Sequence, residues 1–281
     1  MYLRFKSGII STMIKIFPIL LLLLSSTARA DDYFLNLKGK PTQGGLIIAQ
    51  TNAAAHVKVN GKKILNNKDG YFMFGFGRFD DKPAKLVITF DGIVYHSSIS
   101  PTLREFPTEE INGLPKNKVN PPPKVYAQIK SDNALVAKAR SFIDKRDDFL
   151  QSFIWPADGR VSGVYGSRRI LNGEPKRPHY GMDIANKTGT KVVAPIAGII
   201  RLAQTGMYYT GGTIIIDHGY GLTTTFMHLS QVNVEVGSHV SQGEKIGEIG
   251  MTGRATGPHL DWRINLGKTR LDPQLVISAK K

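Results

Sequence analysis

The stretch His259-Leu260-Asp261-Trp262-Arg263-Ile264-Asn265 alternates polar and apolar residues. A period of two is that of a β-strand, in which residues i and i+2 share a face. His259 and Asp261 therefore look into one space while Leu260 packs behind. The pattern recurs upstream, where residues 191–194, 198–203, 213–217 and 222–228 read as further strands separated by glycine-rich turns. Five of the seven histidines fall in this half, at strand ends beside those turns. That distribution points to a site built on β-structure from Trp155 onward.

Three pieces of sequence carry chemistry. His179 and Asp183 lie four apart, but Gly181 between them and the β-type run that follows argue against a helix. A straight strand would hold them about 13 Å apart, too far to share an ion bound at about 2 Å, so they converge only if the chain turns at Gly181. Imidazole and carboxylate both ligate zinc, and His259 and Asp261 could join His179 and Asp183 in a three-ligand site with a position open for water. The competing reading of His259 and Asp261 is a strand-end histidine bonded to a nearby acid. In Thr225-Phe226-Met227-His228-Leu229-Ser230 a histidine closes an apolar strand. Such an imidazole beside a metal can accept a proton from water or donate to a developing oxyanion. His218, before a glycine turn, reads as structural, and His239, in a polar turn, as a surface residue. His56 and His96 have no partners at metal spacing and read as structural or surface residues.

The N-terminal half has a different texture. Residues 44–48, 55–59, 70–74, 86–90 and 93–95 read as short strands, with Asn60-Gly61 and Asp91-Gly92 as hairpin dipeptides. A small antiparallel sandwich over residues 31–112 is expected. Residues 113–150 then read as a linker and a helix. Pro115, Pro121, Pro122 and Pro123 favour an extended spacer, and Val136, Ala139, Phe142 and Ile143 place an apolar stripe on a helix over residues 131–145 with Asp132 as its cap. The fold class is thus all-β, mainly antiparallel: an N-terminal β-sandwich, linker and helix, and a C-terminal β-rich domain over residues 151–281.

Residues 1–30 read as a secretory leader. Arg4, Lys6 and Lys15 precede the short apolar run 16–24, and Ala28-Arg29-Ala30 supplies the small residues of a cleavage site. The run is shorter than the roughly 20 residues of a spanning helix and contains Pro18, so no transmembrane anchor is expected after cleavage. Export to the periplasm or cell envelope follows, with release outside the cell left open. Loss of the leader's four basic residues lowers the formal net charge from +15 to +11. An exported basic protein meets cell-wall carboxylates and membrane phosphates, and nucleic acid is not expected as a partner. The chain has no cysteine, which excludes disulfides, thiolate metal sites and a thiol nucleophile. Oligomeric state is not legible.

Taken in order, His179 and Asp183, the strand ending in His228-Leu229-Ser230, and Thr256-Gly257-Pro258-His259-Leu260 resemble the lysostaphin/LytM-type zinc metallopeptidases. Gly166-Ser167-Arg168-Arg169, Thr188-Gly189-Thr190, Ala194-Pro195-Ile196-Ala197-Gly198, Gly211-Gly212-Thr213 and Gln242-Gly243-Glu244-Lys245-Ile246-Gly247 fall where that family has them. The resemblance covers about Trp155 to Val276. It implies a duplicated-hybrid-motif peptidase acting on peptidoglycan, the hydrolysis of an amide bond in a stem or cross-bridge peptide, and one zinc ion per chain.

Carried over residue by residue, the resemblance makes His179, Asp183 and Asp261 metal ligands and His228 and His259 catalytic. Position 261 departs from the family, whose usual residue there is histidine. A His-Asp-Asp site is harder and more anionic, so its water should be less acidified. Arg168 and Arg169, with Lys176 and Arg177, cluster ahead of His179 and are candidates to meet substrate carboxylates; an ordinary solvated basic loop is the alternative. The alternative function is a metal-free LytM-type regulator that binds the cell wall and activates an amidase.

Overall fold

The computed structural model describes residues 34–277; the expected leader and a new terminus at Asp31 lie outside them. The principal sheet has eight strands. Its order runs His239–Val240, Gly198–Met207, Gly211–Asp217, Leu222–Leu229, His259–Leu266, Met182–Ala185 and Arg160–Gly163, with Thr269–Leu271 also paired to His259–Leu266. Every ladder in it is antiparallel. One face is the core. Leu260, Trp262 and Ile264, the alternate residues of the quoted stretch, are fully buried with Ile184, Phe226 and Ile216. Complete burial of each such side chain contributes about 1.5–3 kcal/mol, which fixes the register and so fixes what the opposite face displays.

The N-terminal strands form two sheets, Asn36–Lys38 with Leu46–Gln50 and Tyr71–Gly75, and Lys62–Ile64 with His56–Val59, Ala84–Phe90 and Ile93–Ile99. They pack around Ile47, Val57, Phe72, Phe74, Leu86 and Ile88, as an antiparallel sandwich. Asn60, Gly61, Asp91 and Gly92 all have positive φ, the conformation expected of the two hairpin dipeptides. The first sheet has a second apolar face. Leu46 and Met73, of opposite parity to Ile47, Phe72 and Phe74, belong to the larger core with Leu271. The sandwich is thereby welded to the principal sheet, and Arg104 reinforces the seam through a 2.8 Å pair with buried Asp272.

Two readings of the connecting segment are corrected. Helix occupies Tyr126–Ala139 and not residues 131–145. Asp132 lies within it, where its carboxylate accepts from Tyr208 N at 2.7 Å. Val136 and Ala139 do pack, against Leu202, Met207 and Ile215, but Phe142 and Ile143 lie past the helix end with Ile143 61% exposed. The proline segment is also more than a spacer. Leu114 and Val119, the latter in the turn of helix Lys116–Val119, bury themselves with Leu171, because an apolar residue every few positions gives the segment something to anchor. Ahead of it, Thr108–Ile111 pairs in parallel with Arg168–Leu171 and carries Glu109 toward the site.

His218 is a structural histidine, as its place before a glycine turn suggests. It is fully buried; Nδ1 donates to Ala197 O at 2.7 Å and Nε2 accepts from Thr224 Oγ1 at 2.8 Å. Burial lowers its pKa from 6.5 to about 4, so the folded state holds it neutral. The unfolded chain binds this proton as pH falls through about 6.5 and the folded chain does so only near 4; stability is full above that window and declines within it. The expected loss from His218 is about 3 kcal/mol between pH 7 and pH 4. Denaturant unfolding in chelator should show a pH slope smaller by about one proton for His218→Asn, and an unchanged slope would refute the assignment.

Candidate metal centre

Asp183 and Asp261 are direct cross-strand partners in the ladder that also opposes Ile184 to Leu260. Both carboxylates rise from the face opposite the core, and both are buried, with 8% and 1% of their surfaces exposed. Like charges directly opposite repel, so the pair requires positive charge close by. His179 Nε2 lies 3.1 Å from Asp183 Oδ1 and 3.3 Å from Asp261 Oδ2. Arg169 Nη2 donates to Asp183 Oδ2 at 2.8 Å. Arg263, two residues along the strand from Asp261, donates Nε to Oδ1 at 2.9 Å and Nη2 to Oδ2 at 2.7 Å.

These charges outweigh desolvation. Burial raises the carboxyl pKa values, yet Asp183 is held below its ordinary range, chiefly by His179, and Asp261 well below it, chiefly by Arg263. Burial pulls His179 down, but the two carboxylates lift its pKa above the usual imidazole value. The approach needs glycine. A Cβ on Gly181 would meet Asp261 Oδ1 at 2.5 Å, Arg263 Cγ at 2.6 Å and Trp262 O at 2.8 Å, so this residue gives room for the carboxylate as well as the bend between His179 and Asp183.

His228 reaches the same face by a kink. Its neighbour Phe226 points into the core and Met227 pairs with Asp261, so strict alternation would turn His228 inward. Instead its φ is +65°, a left-handed conformation that costs on the order of 1 kcal/mol outside glycine, and the neighbouring ladder shifts register between Gly212 and Ile214. The ring ends 4.7 Å, centroid to centroid, from that of His259. His228 Nδ1 contacts Thr252 O and His259 Nδ1 contacts Gly257 O, each at 2.8 Å. A carbonyl only accepts, so Nδ1 carries a proton in both, which leaves Nε2 as the atom of each ring that can exchange one. Burial, then the nearby His259, lowers the pKa of His228 to about 4. It is a neutral imidazole near pH 7.

All five singled-out site residues thus meet. Arg169 also comes to the centre, held between Asp183 and, at 3.6 Å, Glu109, whereas Arg168 is exposed on the Arg168–Leu171 strand and lines neither cleft beside the centre. The sequence reading missed Arg263 and Glu109. Strand alternation alone signals Arg263, at i+2 from Asp261; nothing local signals Glu109, which arrives through the parallel ladder.

The donor set suits a small divalent cation. One ligand atom each from His179, Asp183 and Asp261 lies within 4.8 Å of the others, and Asp183 Oδ1 is buried without a hydrogen-bond donor. A carboxylate oxygen has two lone pairs, so Asp261 Oδ2 can serve Arg263 and an ion together. Two oxygens and one nitrogen, with His228 and His259 close by, fit zinc.

The chain is similar to known peptidases. Residues 177–273 match Peptidase family M23. The chain is 35% identical over 147 residues to the peptidoglycan DD-endopeptidase ShyA of Vibrio cholerae, an alignment covering 50% of this chain and 34% of that protein. It is 36% identical over 115 residues to the DD-carboxypeptidase/endopeptidase Mpg of Neisseria meningitidis, covering 41% of this chain and 26% of the other. The chain spans about a third or less of the length of these relatives. A crystal structure of a Pseudomonas aeruginosa protein assigned to peptidase M23 superposes with a TM-score of 0.66 at 26% identity, over 86% of this chain and 96% of that one. The likeness therefore includes the N-terminal sheets.

The ion pair of Asp261 makes its own prediction. Asp261→His alone leaves the Arg263 side chain, 28% exposed, without an anion. In chelator it should cost on the order of 2 kcal/mol of unfolding free energy, and adding Arg263→Gln should restore most of that. Equal stability of the single and double variants in denaturant melts would show that the pair carries no weight.

Proposed function

Because the chain carries a peptidase family M23 domain over residues 177–273, we propose that it is an exported zinc metalloendopeptidase that hydrolyses peptide bonds in peptidoglycan. The observation that carries this reading is the meeting of His179, Asp183 and Asp261 beside two histidines whose Nδ1 atoms are engaged by carbonyls, with His259 Nε2 4.0 Å from Asp183 Oδ1. The names of the relatives favour a DD-type bond between stem peptides. Export rests on the leader-like residues 1–30.

Bound zinc would supply Lewis acidity to the scissile carbonyl and a water of lowered pKa. The chain's own groups have distinct tasks. His179, Asp183 and Asp261 hold the ion, with Arg169 and Arg263 fixing the two carboxylates from outside. His228, held neutral by burial, starts as a proton acceptor at Nε2, and His259, its Nδ1–H likewise engaged by a carbonyl, works through the same atom. Either can support an oxyanion only after its Nε2 has taken a proton, which couples general-base and charge-stabilising roles in one ring.

A second reading has one observation in its favour. Arg263 forks onto both oxygens of Asp261, so the cluster is electrically satisfied by protein groups alone, as a metal-free regulator of an amidase would require. Zinc content separates the two. Purified protein incubated with isolated peptidoglycan, with and without chelator, should release fragments with new amino termini only when zinc is present.

Variants sharpen the test. His228→Ala and His259→Ala should retain about one zinc per chain while turnover falls by about a hundredfold or more. Asp183→Asn and Asp261→Ala should lose metal and activity together. Full zinc occupancy in Asp261→Ala would remove Asp261 from the ligand set, and an unmutated protein that binds no zinc and leaves peptidoglycan uncut would leave the regulator reading in its place.

A further inference from the structure

His228 lies at the meeting of two clefts that differ in charge. One, of about 440 Å³, is lined by acids as well as bases, among them Glu109, Glu110 and Arg160. The other, of about 520 Å³, is lined by Arg169, Lys176, Arg177, Arg254, Arg263 and Arg270, with Asp261 its only acidic lining residue. Asp261 already serves Arg263, Asp183 serves Arg169, and Glu174 serves Lys176 at 2.8 Å. Arg177, Arg254 and Arg270 have no carboxylate partner among the described residues.

Arg254 is the most telling of the three. It is half-buried and lines both clefts together with His228. Its guanidinium stacks on the Tyr209 ring, 4.7 Å from the centroid, and its polar contact is a 3.4 Å bond to Lys118 O. Its backbone N donates to Tyr209 O at 2.8 Å, which holds the 251–257 loop in place. Arg270 is likewise held by a ring, that of Tyr180 at 4.1 Å. Stacking orients a guanidinium while leaving its edge N–H groups available, a common way to prepare arginine for an oxyanion. Burying positive charge is costly, and burial first, then repulsion from the neighbouring Arg169 and Arg263, lowers the pKa of Arg254 against the opposing pull of Tyr209 and Asp261.

Resting on the endopeptidase reading, we propose that Arg254, assisted by Arg177 and Arg270, binds a carboxylate of the peptide substrate in this cleft, beside the amide bond to be cut. The shared wall with His228 places that carboxylate close to the reacting bond, and the cleft beside Glu109 and Glu110 takes the other side of the chain. Substrates with the carboxylate free are then favoured over the same peptides amidated. The source is either a terminal carboxylate or a side-chain carboxylate.

The test uses the whole zinc-loaded protein and synthetic cross-linked peptide dimers in three forms: all carboxylates free, the terminal carboxylate amidated, and the side-chain carboxylates amidated. One amidation should lower kcat/KM by about ten- to a hundredfold, mainly through KM, which identifies the source. Arg254→Gln should reduce that ratio to within about twofold, and Arg254→Lys should keep part of it, since the charge remains but the fork is lost. Zinc content and melting temperature confirm that each variant is folded. In parallel, calorimetry with uncleavable free-acid and amidated peptides reads binding without turnover. The inference is overturned if neither amidation changes kcat/KM or binding, or if Arg254→Gln keeps the discrimination. If the unmutated protein cuts none of the dimers, the endopeptidase reading fails, and Arg254-dependent binding of the free acid still decides the subsite.

Discussion

Two carboxylates stand directly opposite each other on adjacent strands, nearly shut off from water. Left alone, such a pair would separate or take up a proton. The core on the other face of the sheet prevents separation, because Ile184, Leu260 and Trp262 are fully buried in the same register and a one-residue slip would expose them all. Much of what surrounds the pair is compensation for it. His179 bends in over Gly181, Arg263 folds back along its own strand, and Arg169 crosses from a separate sheet. Asp183 Oδ1 takes no hydrogen bond and faces His179 Nε2 at 3.1 Å, so the group that could hold an ion is already held together by charge.

The chain leaving the N-terminal sheets enters this arrangement through one short ladder. Thr108–Ile111 pairs with Arg168–Leu171, and Glu109 holds Arg169 from the side opposite Asp183. The segment that follows, with Leu114 and Val119 packed on Leu171, keeps that strand in place and lets Lys118 O face Arg254. The sandwich and the connecting segment are thus part of the site's electrostatics and of its walls. The superposition on the Pseudomonas aeruginosa structure over 86% of the chain is consistent with a fold in which these parts are built together.

Reading the sequence reached the strands and the sandwich through short-range rules, and it named the five residues that the structure brings together with the help of the family resemblance. Alternation placed His259 and Asp261 on one face, and glycine between His179 and Asp183 allowed their convergence. The failures came where a rule needed non-local information. Asp132 looked like a cap because it precedes an apolar stripe, but its partner is Tyr208 N, 76 residues away. Prolines 121–123 looked like a spacer, although Leu114 and Val119 were available to anchor the segment. Arg168 and Arg169 were inseparable as a basic pair, and only the parallel ladder sends one to Asp183 and leaves the other in solvent. His228 joined the centre against the alternation rule, through a backbone strain that no residue pattern announces.

Arg263 also changes what the aspartate at position 261 means. A His-Asp-Asp set by itself is more anionic than one with two histidines, which would weaken the acidification of a water at the ion. Here each carboxylate has a guanidinium attached from outside, so Asp261 with Arg263 is a formally neutral pair, while Arg169 is shared between Asp183 and Glu109. A neutral pair resembles an imidazole in charge while offering an oxygen in place of a nitrogen. The guanidinium also draws electron density from the carboxylate, making it a weaker donor than a free one. The charge that aspartate adds at position 261 is thus offset by Arg263, two residues away on the same face of the same strand.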